Sequence, residues 1–164
     1  MDIVSPEQRS KNMSAIRSKD TKPEIYFRKL LFARGYRYSL NVKTIPGHPD
    51  IYLKKYNTAI YVHGCFWHRH NGCQYAYMPK SRVEFWSKKF EANQKRDCIV
   101  QEELRKKGIK CLVVWECTIK QMKKNEEVCE KMLKYVVEFL KSKDIYEEIQ
   151  CEVNSQIAKK DIDI

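Results

Sequence analysis

Cys65-x4-His70-x2-Cys73 places three soft or borderline metal ligands in one short stretch, and all four histidines of the chain fall between residues 48 and 70. A structural zinc takes four such ligands in a tetrahedron, and a Cys/His set in a reducing compartment is its usual source. Cys117 is the natural fourth ligand. It follows the apolar segment 111–115, which can run as a strand beside the strand that feeds Cys65. Cys65-x2-His68 is an equally acceptable spacing, so the residues alone leave the choice between His68 and His70 open. Cys98 and Cys129 fall in helix interiors, Cys111 in a strand and Cys151 near the C-terminus, where a packed thiol is the ordinary reading. Four protein ligands close a zinc site, so bond-making chemistry needs a second centre.

That centre is sought among oxygen and imidazole groups. Pro46-Gly47-His48-Pro49-Asp50 sets a carboxylate at the start of a strand behind a rigid turn. Magnesium binds oxygen ligands, keeps several waters and needs only one or two carboxylates beside a substrate phosphate. Of His63 and His68, whichever the zinc leaves over is held by the metal loop and suited to take a proton from water. Glu24 has a plain structural role as the capping-box partner of Thr21. Phe66-Trp67 in the loop and Glu84-Phe85-Trp86 at the start of a long helix are large aromatics in polar surroundings. They suit either a cover over the metal loop or wedges between base steps. Lys88, Lys89, Lys95 and Arg96 lie along the same helix and suit phosphate contacts.

These groups need a scaffold, and the pattern predicts one. Ser5-Pro6-Glu7-Gln8 starts a polar helix running to about Ser18, too poor in apolar residues for a core element. Thr21-Lys22-Pro23-Glu24 starts a second helix with Ile25, Phe27, Leu30 and Leu31 at helical spacing, ending at Gly35. Strands are expected over 36–40, 51–53 and 58–63, the last apolar enough to be central. Residues 64–80 read as irregular. A long helix spans about 82–107, a buried strand 111–115 and an amphipathic helix 126–143, and the remainder is weakly patterned. The expected fold is an α/β sandwich on a mixed sheet.

The formal net charge is +11, and residues 143–164 carry three basic against six acidic side chains, which leaves +14 on residues 1–142. So basic a body attracts a polyanion. No run approaches the ~18 apolar residues of a spanning helix, and the first residues lack the apolar core of a secretory signal. A cytoplasmic protein without a membrane is therefore expected. Seven cysteines, an odd number, argue against a closed disulfide framework.

Together these residues resemble the very short patch repair (Vsr) endonuclease family. The likeness runs through most of residues 8–120. It begins with the arm Arg9-Ser10-Lys11-Asn12-Met13-Ser14-Ala15-Ile16, Asp20-Thr21 with Glu24, and Pro46-Gly47-x-Pro49-Asp50. It continues through His63-Gly64-Cys65-Phe66-Trp67-His68 with His70 and Cys73, then Glu84-Phe85-Trp86, Asn93, Arg96-Asp97 and Val114-Trp115-Glu116-Cys117. The resemblance implies a restriction-endonuclease-like mixed sheet flanked by helices, with a structural zinc site. It implies a DNA-binding arm at 1–19, a nuclease domain at 20–142 and an acidic tail at 143–164.

The implied activity is magnesium-dependent nicking of duplex DNA 5′ of the thymine in a T:G mismatch, the product of 5-methylcytosine deamination. By position, Asp50 binds magnesium with the backbone carbonyl of Val62. His68 is the general base, with His63 and Glu24 in support, and the zinc ligands become Cys65, His70, Cys73 and Cys117. Phe66, Trp67 and Trp86 resemble the intercalating aromatics, with Met13 entering from the other groove and Asn93 and Arg96 on DNA. A cytosine-5 methyltransferase, mismatch-repair proteins and a DNA polymerase are the implied functional partners of a monomer that joins the bacterial nucleoid on DNA. The strand 58–62 lacks the second acidic residue and the lysine common in restriction-fold nucleases, and the metal loop is one residue longer, through Asn71-Gly72. Two other readings remain: a site-specific endonuclease that needs no mismatch, and a non-catalytic zinc-stabilised DNA-binding module.

Overall fold

The computed structural model describes residues 4–151. Helix α1 (Pro6–Ser14) is capped by Ser5, whose side chain accepts from the Gln8 amide, and it buries no residue. Helix α2 (Lys22–Ala33) is capped by Thr21 and buries Glu24, Phe27 and Leu31. Five strands follow: β1 (Ser39–Leu40), β2 (Ile51–Leu53), β3 (Thr58–His63), β4 (Lys110–Trp115) and β5 (Tyr146–Ile149). They lie in the sheet in sequence order. The first three are antiparallel, whereas β4 and β5 run parallel to β3. The β3–β4 crossover carries α3 (Val83–Lys106), and the β4–β5 crossover carries α4 (Glu116–Lys124) and α5 (Glu126–Lys141). This is the expected α/β architecture.

The central strands alternate between two cores. Ile60, Leu112 and Val114 face a cluster with Phe27 and Leu31 of α2, Ile119 and Met122 of α4, and Met132, Leu133 and Val136 of α5. Ala59, Tyr61, Cys111, Val113 and Trp115 face the other way, against Leu104 of α3 and the metal loop. Period-two alternation along a strand produces this division, and helices on both faces keep β3 and β4 almost wholly apolar.

Three elements differ from expectation. The strand expected over 36–40 contracts to Ser39–Leu40, both exposed. Tyr36 and Tyr38 pack against the core beside α2 instead. Residues 116–124 form α4, which was not anticipated. The weakly patterned region after α5 supplies β5, paired with β4 from Cys111↔Tyr146 to Val114↔Ile149, so the expected tail boundary at 143 cuts off part of the sheet. The rest of that tail, from 152 onward, and residues 1–3 of the arm lie outside the described residues. Among those described, no helix is long and apolar enough to cross a membrane.

Candidate active site and metal cluster

The parallel register of β3 and β4 builds both centres. His63 pairs with Trp115 at the strand ends. Two residues further along each chain, Cys65 and Cys117 are brought together. Cys65, His70, Cys73 and Cys117 are all buried, and their ligand atoms lie within 4.8 Å of one another. His70 presents Nδ1, 3.6 Å from Cys65 Sγ and 3.3 Å from Cys117 Sγ. Hydrogen bonding from Cys65 holds the Cys117 thiol far below its usual range, at about 4. Three sulfurs and one imidazole nitrogen, enclosed and with a thiolate among them, make a donor set that fits a soft or borderline divalent ion. The fold brings His70, and not His68, together with the three cysteines.

His68 points into a cleft instead. The cleft has a volume of about 840 Å³ and is walled by Glu24, Asp50, His63, His68 and Asp97, with Trp67 among its further lining residues. His68 Nδ1 lies 2.7 Å from Asp97 Oδ2. A carboxylate there selects the Nδ1–H tautomer and leaves the Nε2 lone pair free to accept a proton. His63 stacks on His68 with ring centroids 3.8 Å apart and planes at 6°. Burial, with His68 alongside, pushes the His63 pKa down to about 3, so His63 is a neutral platform at physiological pH. The atoms of His63, His68 and Asp97 are also close enough to share an ion, and the short His68–Asp97 hydrogen bond is the geometry in which a carboxylate orients an imidazole.

Asp50 stands opposite, at the start of β2. Its Oδ2 accepts from the Val62 amide at 2.8 Å, extending the β2–β3 ladder with a side chain. An extended residue directs its N–H and C=O to the same neighbouring strand, so the Val62 carbonyl faces the Asp50 side. Burial, with Glu24 nearby, raises the Asp50 pKa to about 7 despite the Val62 hydrogen bond. A carboxylate so disfavoured as an anion is one that a cation would complete. Glu24 does two things: its Oε1 accepts from the Thr21 hydroxyl at 2.9 Å, closing the N-cap, and its charge bears on Asp50.

The turn before Asp50 depends on Gly47. Its φ is +72°, and an added Cβ would sit 2.7 Å from Val100 Cγ1 on α3. His48 follows in the same left-handed region at φ 49°.

The aromatics form one cluster against α3. Phe66 is its hub, with centroids at 5.1 Å from Trp67, 5.4 Å from Trp86 and 5.0 Å from Phe90. Trp67 reaches the cleft wall, and the Asn93 side chain donates to the Trp67 carbonyl at 3.0 Å. Asn93 therefore holds the loop as well as lining the cleft. Of the four basic residues noted on α3, Lys89 and Arg96 line the cleft, joined there by Arg17, Lys19 and Lys43. Met13 is 40% exposed and lines a separate shallow groove with Arg82. The arm residues in the main cleft are Ile16 to Lys19.

Asp97, which reading for motifs left without a role, is the carboxylate that hydrogen-bonds His68 in the cleft. Its signal is spacing: Trp86, Lys89, Asn93 and Asp97 recur every three or four residues on one face of α3.

The model of the family described as DNA mismatch endonuclease Vsr matches residues 1–74. A type II nicking enzyme of Neisseria meningitidis, V.NmeAIP, is 44% identical over 85% of this chain and 96% of its own length. The nicking enzyme V.XorIIP of Xanthomonas oryzae is 44% identical over 74% of the chain and 88% of its own. The DNA mismatch endonuclease Vsr of Escherichia coli is 34% identical over 82% and 87%. The mixed sheet flanked by helices agrees with the restriction-endonuclease-like fold that the motifs implied. With the His68–Asp97 pair facing Asp50 across a basic cleft, and relatives this similar over nearly their whole length, the chain belongs to the Vsr family of DNA mismatch endonucleases.

Proposed function

We propose that this chain is a magnesium-dependent endonuclease that nicks duplex DNA on the 5′ side of the thymine of a T:G mismatch, and that zinc fills the Cys65, His70, Cys73 and Cys117 cluster as a structural ion. The observation that carries the reading is the oriented His68–Asp97 pair in one cleft with Asp50. His68 Nε2 takes the proton of the attacking water, Asp97 holds the imidazole and stabilises its cation, and neutral His63 keeps the ring in plane by stacking. Asp50 and the Val62 carbonyl are the residues that would hold magnesium, which would supply charge stabilisation at the phosphate and the leaving 3′-oxygen. Glu24 adds negative charge beside Asp50 and strengthens its hold on a cation.

Arg17, Lys19, Lys43, Lys89 and Arg96 place positive charge along the cleft for the phosphate backbone. Trp67, backed by Phe66 and Trp86, is the wedge at the base step, with Met13 reaching DNA from the arm. A T:G wobble pair is easier to unstack than a matched pair, and this contributes to selectivity. The protein acts as a monomer in the bacterial cytoplasm, and its substrate arises where a cytosine-5 methyltransferase has acted.

A second reading is favoured by the names of the 44%-identical relatives, which are nicking enzymes: a strand-specific nickase that requires no mismatch. End-labelled duplexes of one sequence, carrying T:G or T:A at a single position, separate the two. The mismatch reading expects magnesium-dependent nicking at least a hundredfold faster on T:G, on the thymine strand alone. Equal rates on both duplexes overturn it in favour of the second reading.

A further inference from the structure

Strand β5 and Gln150 directly after it lie beyond residues 1–74 of the family match and beyond the motifs of residues 8–120, yet Gln150 reaches His70 of the Cys/His cluster. The Glu148 carboxylate, which only accepts hydrogen bonds, gathers three donors. Tyr146 Oη donates to its Oε1, while Trp115 Nε1 at 2.9 Å and Gln150 Nε2 at 3.2 Å donate to its Oε2. The Gln150 amide nitrogen is thereby committed to Glu148, and its oxygen faces His70 Nε2 at 2.9 Å. An amide oxygen accepts, so His70 carries its proton on Nε2 and turns the Nδ1 lone pair toward the sulfurs of Cys65 and Cys117. Trp115 completes the cradle, stacked on the His70 ring with centroids 4.1 Å apart and planes at 6°.

We propose that Glu148 of β5 and Gln150, which follows the strand directly, are positioning residues of the cluster: the carboxylate fixes the amide, the amide fixes the His70 tautomer, and the tautomer fixes the ligand atom. Retention of the ion therefore depends on the docking of β5. The same tryptophan meets His63 edge-on at 5.4 Å, and His63 stacks on His68. A contiguous run of rings thus joins the cluster to the base in the cleft. Partners of this kind that hold the far nitrogen of a metal-bound imidazole typically contribute ten- to a hundredfold in affinity.

The proposal rests on the reading of the cluster as a zinc site, and the test separates the two. Gln150 is exposed, so its truncation spares the core. Purified full-length protein, Gln150→Ala, Gln150→Glu and Glu148→Ala are loaded with zinc, and its transfer to a chromophoric chelator is followed, with circular dichroism on each sample. We expect zinc to leave Gln150→Ala ten- to a hundredfold faster than wild type. Glu148→Ala is expected to lie between them, and Gln150→Glu to release zinc more slowly than Gln150→Ala but faster than wild type, because a carboxylate still accepts from His70 Nε2 yet cannot donate to Glu148 and meets its charge. Release from Gln150→Ala at the wild-type rate overturns the proposal. Failure of the wild-type protein itself to hold zinc overturns the cluster reading beneath it. If Gln150→Ala loses its fold, the comparison of Gln150→Glu with Gln150→Leu decides the matter, and equal release from those two also overturns the proposal.

Discussion

Replacing Asp50 by asparagine should stabilise the metal-free active site while abolishing nicking. The Asp50 carboxyl is raised from its ordinary 3.8 to about 7, with burial as the largest cause. A raised acid keeps its proton in the fold after the unfolded chain has released it. Its contribution to stability is therefore complete below about pH 4 and is lost as pH rises to about 7. At ~1.4 kcal/mol per pH unit the full loss comes to about 4 kcal/mol. Asparagine cannot ionise, and its side-chain oxygen still accepts from the Val62 amide.

The stability advantage of Asp50→Asn should thus be about 1.5 kcal/mol at pH 5 and approach 4 kcal/mol at pH 8. Urea unfolding in magnesium-free buffer without chelator, which leaves the cluster undisturbed, measures both values. Saturating magnesium should shrink the pH 8 difference by binding only the aspartate protein. An asparagine variant less stable than wild type at pH 8, or a gap that does not widen between pH 5 and 8, would refute the reasoning.

Other consequences follow from neighbouring groups. His68→Ala should lower the nicking rate by two to four orders of magnitude with little change in DNA affinity. Asp97→Asn should also cut the single-turnover rate by at least about tenfold, because an amide no longer selects the Nδ1–H tautomer or stabilises the imidazolium. Because a proton competes with magnesium for Asp50 below about pH 7, the magnesium concentration for half-maximal nicking should rise about tenfold per pH unit below that point; a titration from pH 5.5 to 8 checks it. Gly47→Ala meets Val100 Cγ1 at 2.7 Å with φ at +72°, and should cost about 1–3 kcal/mol in urea unfolding. Adding Val100→Ala should recover the steric part of that cost and leave the backbone part. Stripping the cluster with a strong chelator should lower the thermal midpoint of unfolding, and zinc rather than magnesium should restore it.

What the sequence made legible follows physical rules with short range. The mostly apolar run from Thr58 to His63 and the apolar block Cys111–Trp115 identified the two central strands, because strands covered on both faces are nearly all apolar. Cys117 could be chosen as the fourth ligand because those strands could be expected to run side by side, which their register bears out. The His68/His70 choice could not be made from spacing, since it depends on how the loop turns at Arg69, which adopts a left-handed conformation at φ 54°. Strand β5 was hidden because an edge strand with Tyr146, Glu147 and Glu148 exposed or half-exposed has little apolar pattern to read. The role of Glu24 was only half legible: capping is local, whereas its bearing on Asp50 arises from the packing of α2 beside β2.

In the proposed mechanism a soft-ion cluster holds the scaffold and a separate hard-ion centre cuts DNA. Asp50→Ala tests it most directly, by nicking of an end-labelled T:G duplex at saturating magnesium with the zinc content of the same sample measured. One zinc per chain, near-normal duplex binding and nicking reduced at least a thousandfold are expected. Loss of the zinc, or nicking at the wild-type rate, would contradict it.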